Sequence, residues 1–122
     1  MIAGQMAGSG LSSQAVNGIL GGVSDALTAA GTVQADALEL KFTSLHFVST
    51  AAAGTGVRIP AGMNPGEGME LFNGGANACL IYPPVGGTIN NVAANGSFSV
   101  ATLKSAVIRC INPLKFFVML GA

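Results

Sequence analysis

Residues 69–82 read Met-Glu-Leu-Phe-Asn-Gly-Gly-Ala-Asn-Ala-Cys-Leu-Ile-Tyr. Leu, Phe, Ile and Tyr at the two ends suit a pleated, half-buried surface, and Asn73-Gly-Gly between them can take the positive φ of a tight reversal. A helix is disfavoured, because Gly74 and Gly75 each cost a helix interior about 1 kcal/mol relative to Ala. The stretch therefore predicts two strands, 69–73 and 78–82, folded back on each other as a hairpin.

The same texture extends to both sides. Short runs bounded by Gly, Pro and Asn lie at 37–41, 45–50, 56–59, 97–100, 104–111 and 115–120, which brings the number of strands to about eight. Pro60-Ala-Gly, Asn64-Pro-Gly and Pro83-Pro84 mark turns, since proline fixes φ and cannot donate to a ladder. Leu38, Leu40 and Phe42 alternate with polar residues, and Phe98 and Val100 flank Ser99, so these strands have one buried face. Leu80-Ile-Tyr and Phe116-Phe-Val-Met-Leu are apolar without a break, which in an antiparallel protein requires cover on both faces. The chain reads as all-β: an antiparallel sandwich or barrel over residues 35–122, preceded by an extended N-terminal arm over 1–34.

The arm is rich in Gly, Ala, Ser and Gln. Within and just beyond its first 20 residues, Val16, Ile19, Leu20, Val23 and Leu27 recur at three- and four-residue spacing, which predicts a short amphipathic helix that orders on a partner. Ala29-Ala-Gly-Thr-Val is echoed by Ala52-Ala-Gly-Thr-Gly-Val, an echo that the Ala and Gly bias of the chain accounts for without a repeat architecture.

Half of the 122 residues are hydrophobic and only 8% are charged, against roughly 25% in ordinary soluble chains. Lipid is not the expected cover, because no run approaches about 18 strongly apolar residues. Protein is, through obligate association, whose interfaces are more apolar than free surface. Residues 71–103 hold no charged side chain, although strand edges are usually guarded by charge, and this points to surfaces covered in assembly. Five basic and five acidic residues are scattered, so no basic patch invites nucleic acid. The first charged side chain is Asp25, so the basic start of a secretory signal is missing and synthesis in the cytosol is the default. Cys79 and Cys110 are expected there as free, buried thiols.

Candidate chemistry is thin. His46 is the only histidine, so a His-based metal cluster or a cupin-type site cannot be assembled within one chain, and no nucleophile has a positioned base. His46 is expected at a strand position facing a turn, solvent or a subunit contact. Glu67 and Glu70 flank a glycine turn and read as solubilising groups. Gly54-Thr-Gly-Val and Asn73-Gly-Gly-Ala lack the lysine and the following helix of a phosphate-binding loop. Asn73, Asn90, Asn91 and Asn95 offer amides to a sugar, but no Trp and one Tyr leave little to stack it on. No enzyme activity, cofactor or metal is expected.

Three segments carry a resemblance: Ala53-Gly-Thr-Gly-Val-Arg-Ile-Pro-Ala, Asn73-Gly-Gly-Ala-Asn-Ala-Cys-Leu-Ile-Tyr-Pro-Pro-Val-Gly-Gly-Thr-Ile-Asn and Ala93-Ala-Asn-Gly-Ser-Phe-Ser-Val-Ala. In order and spacing, from about residue 27 to residue 120, they resemble small virion proteins of tailed bacteriophages. That resemblance implies a β-sandwich of jelly-roll type, trimeric, made in the host cytoplasm and placed on the capsid surface as a decoration or cement protein. The partner it implies is the major capsid protein. Similar modules in head fibres and tail appendages give the alternative, a receptor- or glycan-binding role. On this reading Val16, Ile19, Leu20 and Val23 of the arm touch the capsid. Phe116, Phe117 and Met119 sit in the core or between subunits.

Overall fold

The computed structural model describes residues 22–121. Ten strands make up its regular structure, β1 (Val23–Thr28), β2 (Leu38–Glu39), β3 (Leu45–Thr50), β4 (Gly56–Arg58), β5 (Gly68–Asn73), β6 (Cys79–Tyr82), β7 (Thr88–Ile89), β8 (Phe98–Val100), β9 (Ser105–Asn112) and β10 (Lys115–Leu120), with one 3-10 turn at Gln34–Asp36. The all-β expectation holds. Two sheets form, one of six strands in the order β1-β3-β5-β9-β10-β7 and one of four in the order β2-β4-β6-β8.

Strand pairing departs from the antiparallel expectation. β1, β3 and β5 pair in parallel, as do β2, β4 and β6, because the chain crosses from one sheet to the other after every strand. The result is a solenoid-like coil of three turns. β8 closes it antiparallel to β6, and the β9–β10 hairpin closes it antiparallel to β5, while β7 adds to β10 in parallel. The strand at 69–73 and that at 78–82 are both present, but they lie in different sheets, so the expected hairpin is a corner.

Small residues at the corners explain the coil. Neither Asn73, Gly74 nor Gly75 takes the positive φ of a tight hairpin. Instead, a Cβ on Gly75 would stand 2.6 Å from the Ala51 nitrogen, so glycine is needed for one corner to rest on the previous one. Ala29, Ala51 and Gly75 are buried at equivalent corners after β1, β3 and β5. Main-chain bonds continue between the corners: Ala29 N–H donates to Thr50 O at 2.9 Å and Gly74 N–H to Val48 O at 2.8 Å. The Ala-Ala-Gly-Thr echo falls at two successive corners of the coil but one residue out of register with it, since Ala29 stacks with Ala51 and not with Ala52. Its copies follow β1 and β3, and Gly31 and Gly54 both take positive φ in them, at 69° and 80°.

β1 also revises the reading of the N-terminal part. Val23 and Leu27 belong to a strand, not to a helix, because β3 offers β1 a ladder with Val23 opposite Leu45. Residues 22–34, assigned to the arm by sequence, thus contain a strand of the six-stranded sheet. Val16, Ile19 and Leu20 lie outside the described residues.

Between the sheets lies one core. Val48, Leu71, Ile108, Phe116 and Val118 enter it from the six-stranded sheet, and Val57, Ile81 and Val100 from the four-stranded one. Each such side chain contributes roughly 1.5–3 kcal/mol on burial. Part of the charge-free stretch 71–103 is buried here within the protomer, including Leu71, Cys79, Ile81 and Ile89.

Candidate functional site

Period-two alternation gives the six-stranded sheet two faces. In β3, β5, β9 and β10 the buried residues alternate with outward ones, and the ladders align the outward positions into rows. One row runs Val23, Leu45, Glu70, Val107, Met119 across five strands. The next pairs Phe47, Phe72 and Ser105, and the row on the other side pairs Gly68, Arg109 and Phe117. The outer face is thus largely apolar and carries one Glu and one Arg near its middle.

Four of its apolar residues are open to solvent, and Phe72, Val107 and Phe117 are half-buried among them. Val23 is 59% exposed and Met119 55%, and Leu45 and Phe47 are also exposed. Phe47 stacks on Phe72 with ring centroids 5.5 Å apart and reaches over Gly74, where a Cβ would stand 2.9 Å from the Phe47 ring. That stacking shelters part of each ring and leaves a flat aromatic surface. Arg109 lays its aliphatic stem across Gly68 and donates to the Gly66 carbonyl at 3.1 Å. Beside it an open groove of about 250 Å³ runs between Arg109 and Glu70, with Ser44 and Val107 on its walls.

Of the residues singled out at the C-terminus, Phe116 points into the core and is 1% exposed, whereas Met119 is on the outer face and Phe117 is half-buried there. Val23 projects from the edge strand of the same face. The structure brings Val23, Phe117 and Met119 onto one surface.

The polar candidates are engaged elsewhere. His46 is fully buried on the inner face, correcting its expected place at a turn, solvent or subunit contact. Burial lowers its pKa to about 4, with a main-chain contact at Thr43 acting weakly the other way. The Thr43 hydroxyl lies 3.4 Å from its Nδ1 and 2.9 Å from the Ser24 hydroxyl. The amides of Asn73, Asn90 and Asn95 all bond within the chain: Asn73 to Val100 and Asn77, Asn90 to Val118, and Asn95 to Gln34 and Gly86. Glu67 accepts from the Asn64 main chain.

Cys79 and Cys110 are free and buried. Desolvation raises the Cys79 thiol to about 11, and desolvation with the nearby Glu67 raises that of Cys110. A second groove, of about 360 Å³, lies at the Arg58–Glu39 ion pair, where the charges are 3.2 Å apart, and is lined by Pro84, Val85, Pro113 and Leu114. Among the described residues no three His, Cys, Asp or Glu side chains gather where they could hold a metal ion, and no helix is long and apolar enough to cross a membrane. Comparison of the chain with protein-family models, curated proteins and solved structures finds no match.

With its titratable groups dispersed or buried, the surface that distinguishes this molecule is the outer face of the six-stranded sheet. Such a face can remove apolar area from water by docking, at roughly 25 cal/mol per Å². The apolar run of 116–120, read as needing cover on both faces, was the sequence signal for it.

Proposed function

We propose that the chain is a structural component of a tailed-phage virion, a decoration or cement protein that binds between subunits of the major capsid protein and stabilises the head. The observation that carries this reading is the exposed apolar face of the six-stranded sheet, which a lone small domain with 8% charged residues has little means to solvate. Binding, not chemistry, is the work such a face can do. Association of copies belongs to the same reading, three-fold in the proteins that the chain resembles. Residues Val16, Ile19 and Leu20 supply further capsid contacts. The jelly-roll topology of those proteins is not required, since two facing sheets suffice to present a rigid docking face.

Many modest contacts on one lattice add up through multivalency, so the role needs no single dominant residue. The test is made on purified particles with and without the protein. Particles stripped of it should lose resistance to heat and to chelation and regain it on adding the protein back. Full resistance in the stripped particles would overturn the proposal.

A further inference from the structure

We infer that two copies of the chain associate face to face through the outer surface of the six-stranded sheet, with Glu70 of each copy set against Arg109 of the other. The inference deepens the assembly reading above and rests on it in expecting copies to associate: free copies close this face on each other, and the same face meets the capsid when they part, so one copy does not make both contacts at once. It replaces the three-fold ring implied by resemblance with a two-fold contact.

Charge selects the occupant. Among the described residues Glu70 makes no ion pair, and Arg109 donates only to the Gly66 carbonyl. Both stand at the middle of an apolar face, where covering them with an uncharged surface would strand two charges away from water. The chain's own first 24 residues hold no charged side chain, so they cannot supply the missing partners. A second copy can. β5 and β9 are the two central strands of the six, and a two-fold axis lying between the two faces and parallel to these strands sets β5 of one copy over β9 of the other, bringing Glu70 of one copy toward Arg109 of the other and the reverse.

Around this pair the two surfaces are apolar and matched: Leu45, Phe47, Val107, Phe117 and Met119 surround Glu70 and Arg109 on each copy. Five strands of about six residues cover roughly 24 by 20 Å, or about 500 Å² of flat footprint per copy, at ordinary strand spacing and rise. Side-chain relief brings this toward, but not beyond, the roughly 800 Å² per partner of a standard interface. An interface no larger than this makes the association concentration-dependent.

Sedimentation of the full chain from about 1 to 200 μM tests the inference. The wild type should move from monomer to dimer across this range. Glu70→Arg and Arg109→Glu each place two like charges on the face, so each alone should stay monomeric while keeping wild-type circular dichroism. An equimolar mixture of the two variants should recover a heterodimer, which an ion pair inside one chain cannot produce. Met119→Lys, at an exposed position outside the core, should also dissociate the dimer and serves as the variant whose folding is least at risk. A wild type that is monomeric or trimeric throughout, single variants that still dimerise, or a mixture that stays monomeric would each overturn the inference. None of these outcomes bears on the particle experiment, which tests the capsid role separately.

Discussion

Asn73 and Val100 tie the two sheets together. Asn73 ends β5 in the six-stranded sheet, Val100 ends β8 in the four-stranded one, and the buried Asn73 Nδ2 donates to the Val100 carbonyl at 3.0 Å. The same Nδ2 donates to Asn77 O at 2.8 Å, while Oδ1 accepts from Gly75 N–H at 3.0 Å. One side chain therefore shapes the corner and satisfies main-chain groups of both layers.

Asn73→Ala leaves those groups without partners and should cost about 1–3 kcal/mol, read from urea unfolding at pH 7. Asn73→Asp keeps the acceptor for Gly75 but turns a carboxylate toward two carbonyls. Burial favours its neutral form, so this variant should lose further stability as pH rises above about 4. A variant as stable as wild type at every pH would mean that the corner is not held by this amide.

His46 gives the wild type a pH dependence of its own. Its folded pKa of about 4 lies below the ordinary 6.5, so between these values the unfolded chain binds the extra proton. Stability from keeping His46 neutral is complete above about pH 6.5 and is lost as pH falls toward 4, in total about 3 kcal/mol. The difference between wild type and His46→Leu isolates the histidine: wild type should weaken relative to the variant from pH 7 to pH 4, and parallel pH profiles would refute the assignment.

Strand content was largely legible in the chain. The runs at 45–50 and 115–120 match β3 and β10 to the residue, because β-branched and aromatic residues there sit between clear breakers. Pairing direction was not. Asn73-Gly-Gly suits a hairpin as well as a stacked corner, and only the approach of Ala51 decides between them. The signal that distinguishes the two was the Ala-Ala-Gly-Thr echo, whose 23-residue spacing is close to the 22 residues that separate Val23 from Leu45 and Thr28 from Thr50 in paired strands. β1 and β7 escaped notice for different reasons: Ser24, Asp25 and Ala26 are weak strand formers, and β7 has two residues. The outer face was half visible, since Phe117 and Met119 stood out while Leu45, Phe47 and Val107 gain meaning only when the ladders align them.

Two glycines in the second copy of the echo separate space from backbone conformation. Gly54 has φ 80° with nothing near its missing Cβ, whereas a Cβ on Gly56 would stand 2.5 Å from Leu80 O, inside the β4–β6 ladder. Gly54→Ala should therefore cost about 1–2 kcal/mol, the penalty of a left-handed residue. Gly56→Ala should cost about 3 kcal/mol or more, because packed backbone must move. Calorimetric melting of the two variants checks the order, and a larger loss at Gly54 would contradict the position of β4 against β6.

Asn90 distinguishes a structural amide from a ligand-binding one. Its Oδ1 accepts from Val118 N–H at 3.0 Å and its Nδ2 donates to Val118 O at 3.2 Å, so the side chain continues the ladder where the short β7 stops. Its φ of 52° is one that Asn and Gly tolerate. Asn90→Gly removes only the amide and should cost about 1 kcal/mol, while Asn90→Ala adds roughly 1–2 kcal/mol of left-handed strain. In both variants the Val118 amide should exchange its hydrogen faster, since it loses its acceptor. A residue kept for binding sugar would behave oppositely, with stability and Val118 exchange unchanged on substitution. Asn91→Ala is the control, because Asn91 is exposed and should alter neither quantity.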